Sequence, residues 1–501
     1  MLHGRDAALR ALTEARPGLV WRKVVADRLT PVAAALTLFE EGRGDFLLES
    51  VEGGDTRGRY TVLGIAPDLV FRASGERAEI NRTWSDQRDV FEPATGNALA
   101  ALRGLLAECR METDPELPPA LACLVGYFGF ETIGLIEKIP RAAPSSLGLP
   151  DMLFVRPTVT LVFDGVTDAL FVIAPLWPSP RLPADAIADG ESRIDRTLAS
   201  LNSPATAIQA PPPAQPPIEV QSATTPGHFA RMVDKAKEYI VGGDVFQVVL
   251  SQRFSAPFAL PPIALYRALR RINPSPFLFL LDLPGFALVG SSPEILVRVR
   301  EGEVTVRPIA GTRPRGRTAR EDAEAEAALL ADPKERAEHL MLLDLGRNDV
   351  ARVAAGGSVD VASSFTVERY SHVMHIVSTV TGTLAEGNDA VDALFAGFPA
   401  GTVSGAPKVR ACQIIAELEP EARGPYAGGV GYFAPDGSID SCIVLRTAVV
   451  KDKVMHVRAG AGIVADSDPA YEQRECEAKA GALFAAAREA LRLAGETWNE
   501  I

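Results

Sequence analysis

Short apolar runs, bounded by glycine, proline and aspartate, recur along the chain among stretches with a helical pattern. Runs of this kind predict strands. They lie at residues 45–50, 158–164, 245–254, 278–283, 304–308, 428–433 and 443–450. The strands and helices do not alternate regularly, so the pattern favours an α+β fold with mixed, mainly antiparallel sheets over a parallel sheet.

A proline-rich segment at residues 203–226 (SPATAIQAPPPAQPPIEVQSATTP) interrupts this pattern. Dense proline prevents both helix formation and strand pairing, which is typical of a semi-rigid connector. The sequence therefore predicts an N-terminal domain at 1–202, a linker at 203–226 and a second domain at 227–501.

Two Asp-Pro pairs, Asp332-Pro333 and Asp468-Pro469, predict helix starts, because aspartate is a good N-cap and proline is tolerated at the first helical position. Each predicted helix carries two glutamates three residues apart, which project from one helical face. These four are Glu335, Glu338, Glu472 and Glu475.

The four carboxylates are candidate ligands for a hard cation such as Mg²⁺, which prefers oxygen donors. The alternative is a solvated helix face, since Glu49/Glu52 and Glu321/Glu324 have the same spacing and acidic residues are favoured near helix N-termini anyway. Spacing leaves both open, and burial of the glutamates would distinguish them.

Glycine-rich loops are a second candidate site. The glycines concerned lie near Arg, Lys, Thr or Tyr in the sequence. They are Gly311, Gly401, Gly405, Gly428, Gly429, Gly431, Gly460 and Gly462. Such loops let backbone N–H groups approach an anion, although each glycine is also explained by a turn. His375 is likewise either a site residue or an ordinary packed histidine.

Composition narrows the class of protein. The 501-residue chain has a net charge of −13, which argues against nucleic acid as a partner. Its five cysteines contain no CxxC pair and fit a reducing cytoplasm. We expect neither export nor a membrane span, because no stretch reaches about 18 uncharged apolar residues.

Ordered sequence blocks from about Phe229 to Leu491 resemble the chorismate-binding enzyme family. The blocks are YIVGGDVFQVVLSQRF, NPSPFLF, GSSPE, RPIAGTRPRG, AEHLMLLDLGRND, YSHVMH, PAGTVSGAPKVRA, GGVGYF and AGAGIVADSDP. The first half resembles the family's N-terminal domain less densely, through LLES and VGYFGFET. The resemblance implies the family's fold and a chorismate substrate.

The same resemblance assigns residues to ligands. Glu338 and Glu475 would be the principal Mg²⁺ ligands, helped by Glu335 and Glu472, with the ion bridging to the ring carboxylate of chorismate. The matching chorismate-binding positions are Gly311, Thr312, Tyr426, Arg446, Gly460, Ala461, Gly462 and Lys479. Arg446 is suited to the pyruvyl carboxylate, because a guanidinium can donate two parallel hydrogen bonds.

The reaction within the family depends on the nucleophile. Gln247 stands where family members that activate water carry a lysine, and Ala310 stands where aminodeoxychorismate synthases carry a nucleophilic lysine. The resemblance therefore implies attack of external ammonia on C2, with Glu294 as general acid for the C4 hydroxyl. His375 and Thr402 match positions associated with loss of pyruvate. The implied enzyme is a lyase that forms anthranilate, the first step of tryptophan biosynthesis, through 2-amino-2-deoxyisochorismate.

The same resemblance implies a partner subunit and a feedback inhibitor. None of the five cysteines has the setting of a glutaminase nucleophile, so a separate glutamine amidotransferase subunit would supply ammonia in a hetero-oligomer. Tryptophan is expected as a feedback inhibitor, and its matching positions are Glu49, Ser50, Pro276, Phe277 and Leu278. Phe277 and Leu278 depart from the tyrosine and methionine common there.

Three alternatives remain at this point. Two are enzymes, a synthase that stops at 2-amino-2-deoxyisochorismate and an aminodeoxychorismate synthase. The third is a catalytically silent, tryptophan-binding regulatory protein, which would lose the metal glutamates or Glu294, whereas all of them are present.

Overall fold

The computed structural model describes residues 2–52, 56–203, 218–370 and 373–495. Most of the predicted linker, residues 204–217, lies outside the described residues, as do Ser371 and His372 of the YSHVMH block. The described chain forms eleven α-helices: α1 Arg5–Thr13, α2 Pro31–Leu38, α3 Ala98–Glu108, α4 Pro183–Asn202, α5 His228–Val241, α6 Pro262–Ile272, α7 Ala319–Ala331, α8 Pro333–Ala351, α9 Ala390–Gly397, α10 Lys408–Leu418 and α11 Pro469–Gly495.

Twenty-four strands occupy the same described residues. In chain order they are β1 Gly18–Val25, β2 Asp45–Glu52, β3 Thr56–Ile65, β4 Leu69–Ser74, β5 Arg77–Asn81, β6 Glu92–Pro93, β7 Leu124–Phe128, β8 Met152–Arg156, β9 Val159–Asp164, β10 Ala169–Leu176, β11 Gln221–Ser222, β12 Gln247–Pro257, β13 Phe277–Leu283, β14 Phe286–Ser292, β15 Ile295–Arg300, β16 Glu303–Val306, β17 Ile309–Pro314, β18 Asp360–Arg369, β19 Val373–Thr383, β20 Gly405–Ala406, β21 Gly429–Phe433, β22 Ile439–Ile443, β23 Thr447–Lys451 and β24 Val454–Ile463.

These strands form two twelve-stranded sheets. The first runs β1-β10-β9-β3-β2-β13-β14-β23-β24-β12-β11, with β20 also on β12. The second runs β17-β19-β16-β15-β22-β21-β7-β8-β4-β5-β6, with β18 also on β19. The pairs β2–β13 and β7–β21, like the other pairs in both sheets, are antiparallel. The predicted α+β class with mainly antiparallel sheets is therefore confirmed.

Both sheets contain strands from either side of residues 203–226. The division into domains at that segment stays a prediction, but β2–β13 and β7–β21 show that the two parts of the chain share sheets. Side chains of both sheets meet in one buried cluster, in which Tyr127 packs edge-on against Phe286 at a ring distance of 5.9 Å. Much of the core thus lies between the sheets.

Both predicted helix starts are confirmed. Asp332 accepts hydrogen bonds from the N–H groups of Lys334 and Glu335 at the start of α8. Asp468 accepts one from Tyr471 at the start of α11. Across the described residues, no helix combines the length and apolarity needed to cross a bilayer.

One predicted strand, 443–450, is wrong as a single element. The chain leaves the second sheet at Ile443 and joins the first at Thr447. Between them Arg446 has a positive φ of 46°, a left-handed conformation that interrupts a strand. An apolar run cannot reveal such a crossing between sheets, and here the crossing carries a candidate site residue.

Candidate active site

Glu294 is a buried carboxyl group that has no cationic partner among the described residues. It lies between β14 and β15 and is 5% exposed. The Thr402 hydroxyl, in a short 3-10 helix, donates to both carboxyl oxygens at 3.1 Å. No lysine or arginine of the described chain forms a salt bridge with it. Burial raises the pKa of Glu294 to about 8, so this side chain is protonated at neutral pH and can donate a proton.

His375, on β19, is held at one ring nitrogen. Its Nδ1 lies 2.9 Å from the carbonyl oxygen of Gly311 and 3.2 Å from the hydroxyl of Thr312. A carbonyl only accepts, so we assign the ring proton to Nδ1. Burial lowers the pKa of His375, which favours the neutral ring. Its Nε2 therefore carries a free lone pair, as a general base requires.

Arg446 lies where the chain crosses between the sheets. Its Nη1 is 3.5 Å from the hydroxyl of Ser275, and its carbonyl accepts from the N–H of Ser291 at 3.1 Å. Burial lowers the pKa of Arg446. Because no described carboxylate forms a salt bridge with it, this guanidinium is suited to an anionic ligand.

The glycines of β24 allow two side chains to approach the backbone closely. A Cβ at Gly460 would lie 2.7 Å from the hydroxyl oxygen of Tyr426, and a Cβ at Gly462 would lie 2.5 Å from Nε2 of Gln247. Ala461 between them is buried. This part of β24 thus forms a smooth backbone surface bordered by Tyr426 and Gln247.

The four candidate metal ligands come from α8 and α11. Glu335 accepts from Arg313 at 2.8 Å, and Glu475 from Lys479 at 2.6 Å. Burial raises the pKa of Glu338, and the neighbouring carboxylates of Glu335 and Glu475 raise it further. Glu472 is buried too, and both its burial and the neighbouring carboxylate of Glu475 raise its pKa. A fully solvated helix face is therefore excluded for these glutamates.

The carboxylates have the right chemistry for a hard cation, although they do not converge on one point. Across the part of the chain that the structure describes, no three or more His, Cys, Asp or Glu side chains are grouped closely enough to hold a metal ion. Arg313 and Lys479 bind two of the four instead. The mutual repulsion at Glu338 is what a divalent cation would relieve.

The predicted tryptophan-site residues lie on adjacent strands. Ser50 of β2 is opposite Phe277 of β13, Glu49 is opposite Leu278, and Pro276 directly precedes β13. The Glu49 carboxylate accepts from Arg270 at 2.6 and 2.9 Å and from the hydroxyl of Tyr266. Its charge is thus balanced within the protein.

Several site residues escaped the sequence analysis. Arg313 was present in the RPIAGTRPRG block, where its positive charge beside a glycine loop was a usable signal. Ser275 carried no such signal, because its contact with Arg446 spans 171 residues. Lys408 and Asp349 form a buried ion pair at 2.8 Å between two family blocks.

Comparison with known proteins identifies the family of this chain. A family described as chorismate binding enzyme matches residues 45–485. Anthranilate synthase component 1 of Cereibacter sphaeroides is 52% identical over 94% of this chain and 95% of its own length. The corresponding protein of Thermus thermophilus is 45% identical over 92% of this chain and 96% of its length.

A solved structure supports the fold. The crystal structure of anthranilate synthase component I from Streptococcus pneumoniae has a TM-score of 0.75 and 33% identity, and the match covers 92% of this chain and 99% of that one. The chain belongs to the chorismate binding enzyme family. Within that family, the three relatives described here are all anthranilate synthase component 1 proteins. The predicted family and fold are confirmed.

Proposed function

We propose that this chain is the chorismate-utilising component of an anthranilate synthase, a lyase of tryptophan biosynthesis. It converts chorismate and ammonia to anthranilate and pyruvate through 2-amino-2-deoxyisochorismate. The observation that carries the proposal is Glu294, a buried carboxyl group with a pKa near 8 that can protonate a leaving hydroxyl. The high similarity of the chain to component 1 proteins supports the same activity.

The first step is an allylic displacement. Ammonia attacks C2 of the ring, the ring double bonds shift, and the C4–O bond breaks as Glu294 passes its proton to the departing oxygen, releasing water. Thr402 holds the Glu294 carboxyl group in place. Neither Gln247 nor Ala310 supplies a basic or nucleophilic nitrogen, so water activation and covalent attack have no agent at those positions.

The second step is an elimination. Nε2 of His375 takes the proton from C2, the electrons of that C–H bond form the C2–C3 double bond, and the C3–O bond breaks. The ring becomes aromatic, and the released enolpyruvate gains a proton to become pyruvate. The free lone pair on Nε2, inferred from the Nδ1 contact with Gly311, supports this role.

Substrate binding rests on the surfaces around these two residues. Arg446 is the partner for the pyruvyl carboxylate of chorismate. The backbone of β17 at Gly311 and Thr312 borders the ring, together with the hydroxyl of Tyr426 and the backbone of residues 460–462. Lys479, which donates to the carbonyl of Gly460 at 2.9 Å, adds positive charge beside this surface.

Mg²⁺ completes the proposed site. Glu338 and Glu475 would be its principal ligands, with Glu335 and Glu472 helping, because the repulsion among these carboxylates favours a cation. When bound, the ion neutralises the ring carboxylate of chorismate. The ion pairs of Arg313 with Glu335 and of Lys479 with Glu475 would have to open for these carboxylates to hold the ion.

The partner is a glutamine amidotransferase subunit in a cytoplasmic hetero-oligomer, and tryptophan is a feedback inhibitor. The name component 1 of the relatives supports a second component. The five cysteines are buried and unpaired, which suits structural residues better than a glutaminase nucleophile.

The test uses the purified chain with chorismate, Mg²⁺ and ammonium at high pH, with anthranilate followed by fluorescence. We expect activity with ammonium and none with glutamine alone. Product masses separate this enzyme from one that stops at the amino intermediate or makes aminodeoxychorismate. Robust turnover of glutamine without a second subunit would refute the division of roles.

The metal assignment has its own test. Calorimetric titration with Mg²⁺ should show binding to the wild type that Glu338→Ala and Glu475→Ala each weaken. Both should also lose at least about 3 kcal/mol of transition-state stabilisation. Glu324→Ala, on the exposed face of α7, is the matched control. Unchanged Mg²⁺ affinity in either site variant contradicts the ligand assignment.

A further inference from the structure

We infer that Tyr370 is a positioning residue, which holds the His375 ring in the orientation that loss of pyruvate requires. Tyr370 is 6% exposed, and its ring packs against the His375 ring at a centroid distance of 5.5 Å and an interplanar angle of 59°. The inference rests on the proposed function, in which His375 is the base of the second step.

Tyr370 is itself fixed at both ends. Its hydroxyl donates to Oε2 of Glu368 at 2.9 Å, and Arg307 donates to the other oxygen of that carboxylate. Its backbone N–H donates to Val373 at 2.8 Å, while its carbonyl accepts from Arg315 at 2.6 Å. A ring held in this way is a rigid surface for its neighbour.

The antiparallel pairing of β18 and β19 explains why these groups meet. Glu368 is directly opposite His375 in the register, so both side chains lie on one face. Tyr370 is two residues beyond Glu368 and belongs to the same face. The side chains of Glu368, Tyr370 and His375 thus form one cluster next to Gly311 of β17.

The imidazole of His375 is contacted at its Nδ1 atom and on its ring face. The Gly311 carbonyl and the Thr312 hydroxyl both contact Nδ1; the carbonyl fixes the tautomer, but contacts at this one atom still permit the ring to rotate about it. The Tyr370 ring blocks this rotation, so that Nε2 points in one direction. A base aimed wrongly by about 1 Å loses up to about a hundredfold in rate.

Only the second step should depend on this contact. The first step uses Glu294, which is held by Thr402, and the Tyr370 hydroxyl is bonded to Glu368. Loss of the Tyr370 ring should therefore slow pyruvate release and leave amination of chorismate nearly intact.

The experiment compares Tyr370→Leu and Tyr370→Phe with the wild type in chorismate, ammonium and Mg²⁺. Chromatography with mass detection measures chorismate, the amino intermediate and anthranilate. In Tyr370→Leu we expect anthranilate formation to fall about tenfold or more while chorismate consumption changes less than about twofold, so that the intermediate accumulates. Tyr370→Phe keeps the ring and should accumulate less.

Tyr239→Phe is the matched control, because the Tyr239 hydroxyl also binds a glutamate, Glu417, at 2.5 Å, in an exposed contact between α5 and α10. The control should give the wild-type product ratio. If Tyr370→Leu slows both steps equally, or releases no intermediate, the inference is overturned. If the leucine variant does not fold, Tyr370→Phe must still raise the intermediate-to-anthranilate ratio above that of Tyr239→Phe, and an unchanged ratio overturns the inference.

Nitrogen NMR separates this inference from the proposed function. The His375 resonances, assigned by comparison with His375→Gln, should report one Nδ1-protonated ring in the wild type and a broadened or mixed signal in Tyr370→Leu. A wild type that makes no anthranilate refutes the proposed function alone. An identical His375 spectrum in both proteins refutes the positioning role alone.

Discussion

Two buried glutamates, Glu294 and Glu49, have almost the same exposure, 5% and 6%, and opposite surroundings. Glu49 lies against the guanidinium of Arg270 and the hydroxyl of Tyr266. Among the described residues, Glu294 has only the hydroxyl of Thr402 and the N–H of Ile309 as hydrogen-bond partners. Burial is therefore shared, and the neighbouring charge is what differs.

The neighbouring charge distinguishes a carboxylate that stabilises the fold from a carboxyl group that can take part in the reaction. A buried charge beside an opposite charge joins elements of the fold, and Glu49 joins β2 to α6. A buried carboxyl group without a cation keeps its proton at neutral pH, and Glu294 can therefore act as an acid. Substitution by glutamine, which keeps the shape and removes the acid, should have a different effect at each position.

The largest effect is expected for Glu294→Gln. Loss of the proton donor should lower anthranilate formation about 10³-fold, or about 4 kcal/mol. Thermal unfolding should be little affected, because the native side chain is already neutral at pH 7. The measurement is steady-state turnover with ammonium, beside a calorimetric scan. Retention of more than about a tenth of the activity would contradict the acid assignment.

Glu49→Gln should instead destabilise the fold. It leaves Arg270 largely buried without its counterion, at a cost of about 3 kcal/mol in the free energy of unfolding. Denaturant titration measures the loss. Glu79→Gln, at an exposed ion pair with Arg72, is the matched control and should change stability by less than about 1 kcal/mol. Equal losses of stability in Glu49→Gln and Glu79→Gln would contradict the structural role assigned to buried Glu49.

The region around Glu49 is also the predicted tryptophan site. We expect tryptophan to inhibit, with a discrimination of about 100-fold between two states, equivalent to about 2.7 kcal/mol. Ser50→Phe should relieve the inhibition by filling the space beside Phe277.

Titration calorimetry of tryptophan, with and without chorismate and Mg²⁺, measures the coupling of the two sites, which must be reciprocal. Absence of tryptophan binding to the wild type would mark a lost regulatory site. Full inhibition of Ser50→Phe would mean that the pocket lies elsewhere.

The smallest effect concerns pH. Only protonated Glu294 can donate, so the rate should fall about tenfold per pH unit above about 8, provided that free ammonia is held constant. The Thr402 hydrogen bond lowers the pKa of Glu294. Thr402→Val should therefore move the falling limb to higher pH, and a shift to lower pH would contradict the proposed environment. The pH–rate profile of both proteins is the measurement.

Local sequence predicted the parts of this site that depend on local rules. Asp332-Pro333 and Asp468-Pro469 start their helices because capping acts over a few residues. The glutamate spacing then places four carboxylates on two helix faces. Family blocks identified the family and suggested the chemistry. The crossing of Arg446 between the sheets was missed, because no local rule encodes it.

The sequence by itself thus determined the class of fold and the helix starts, and it named the candidate residues for the chemistry. Tertiary structure alone decided which glutamate has a cation beside it. Arg270 reaches Glu49 across 221 residues, while no cation in the described part of the chain forms an ion pair with Glu294. The physical reason is that burial and opposing charge depend on how distant strands pair, and these two quantities together set whether a carboxyl group keeps its proton.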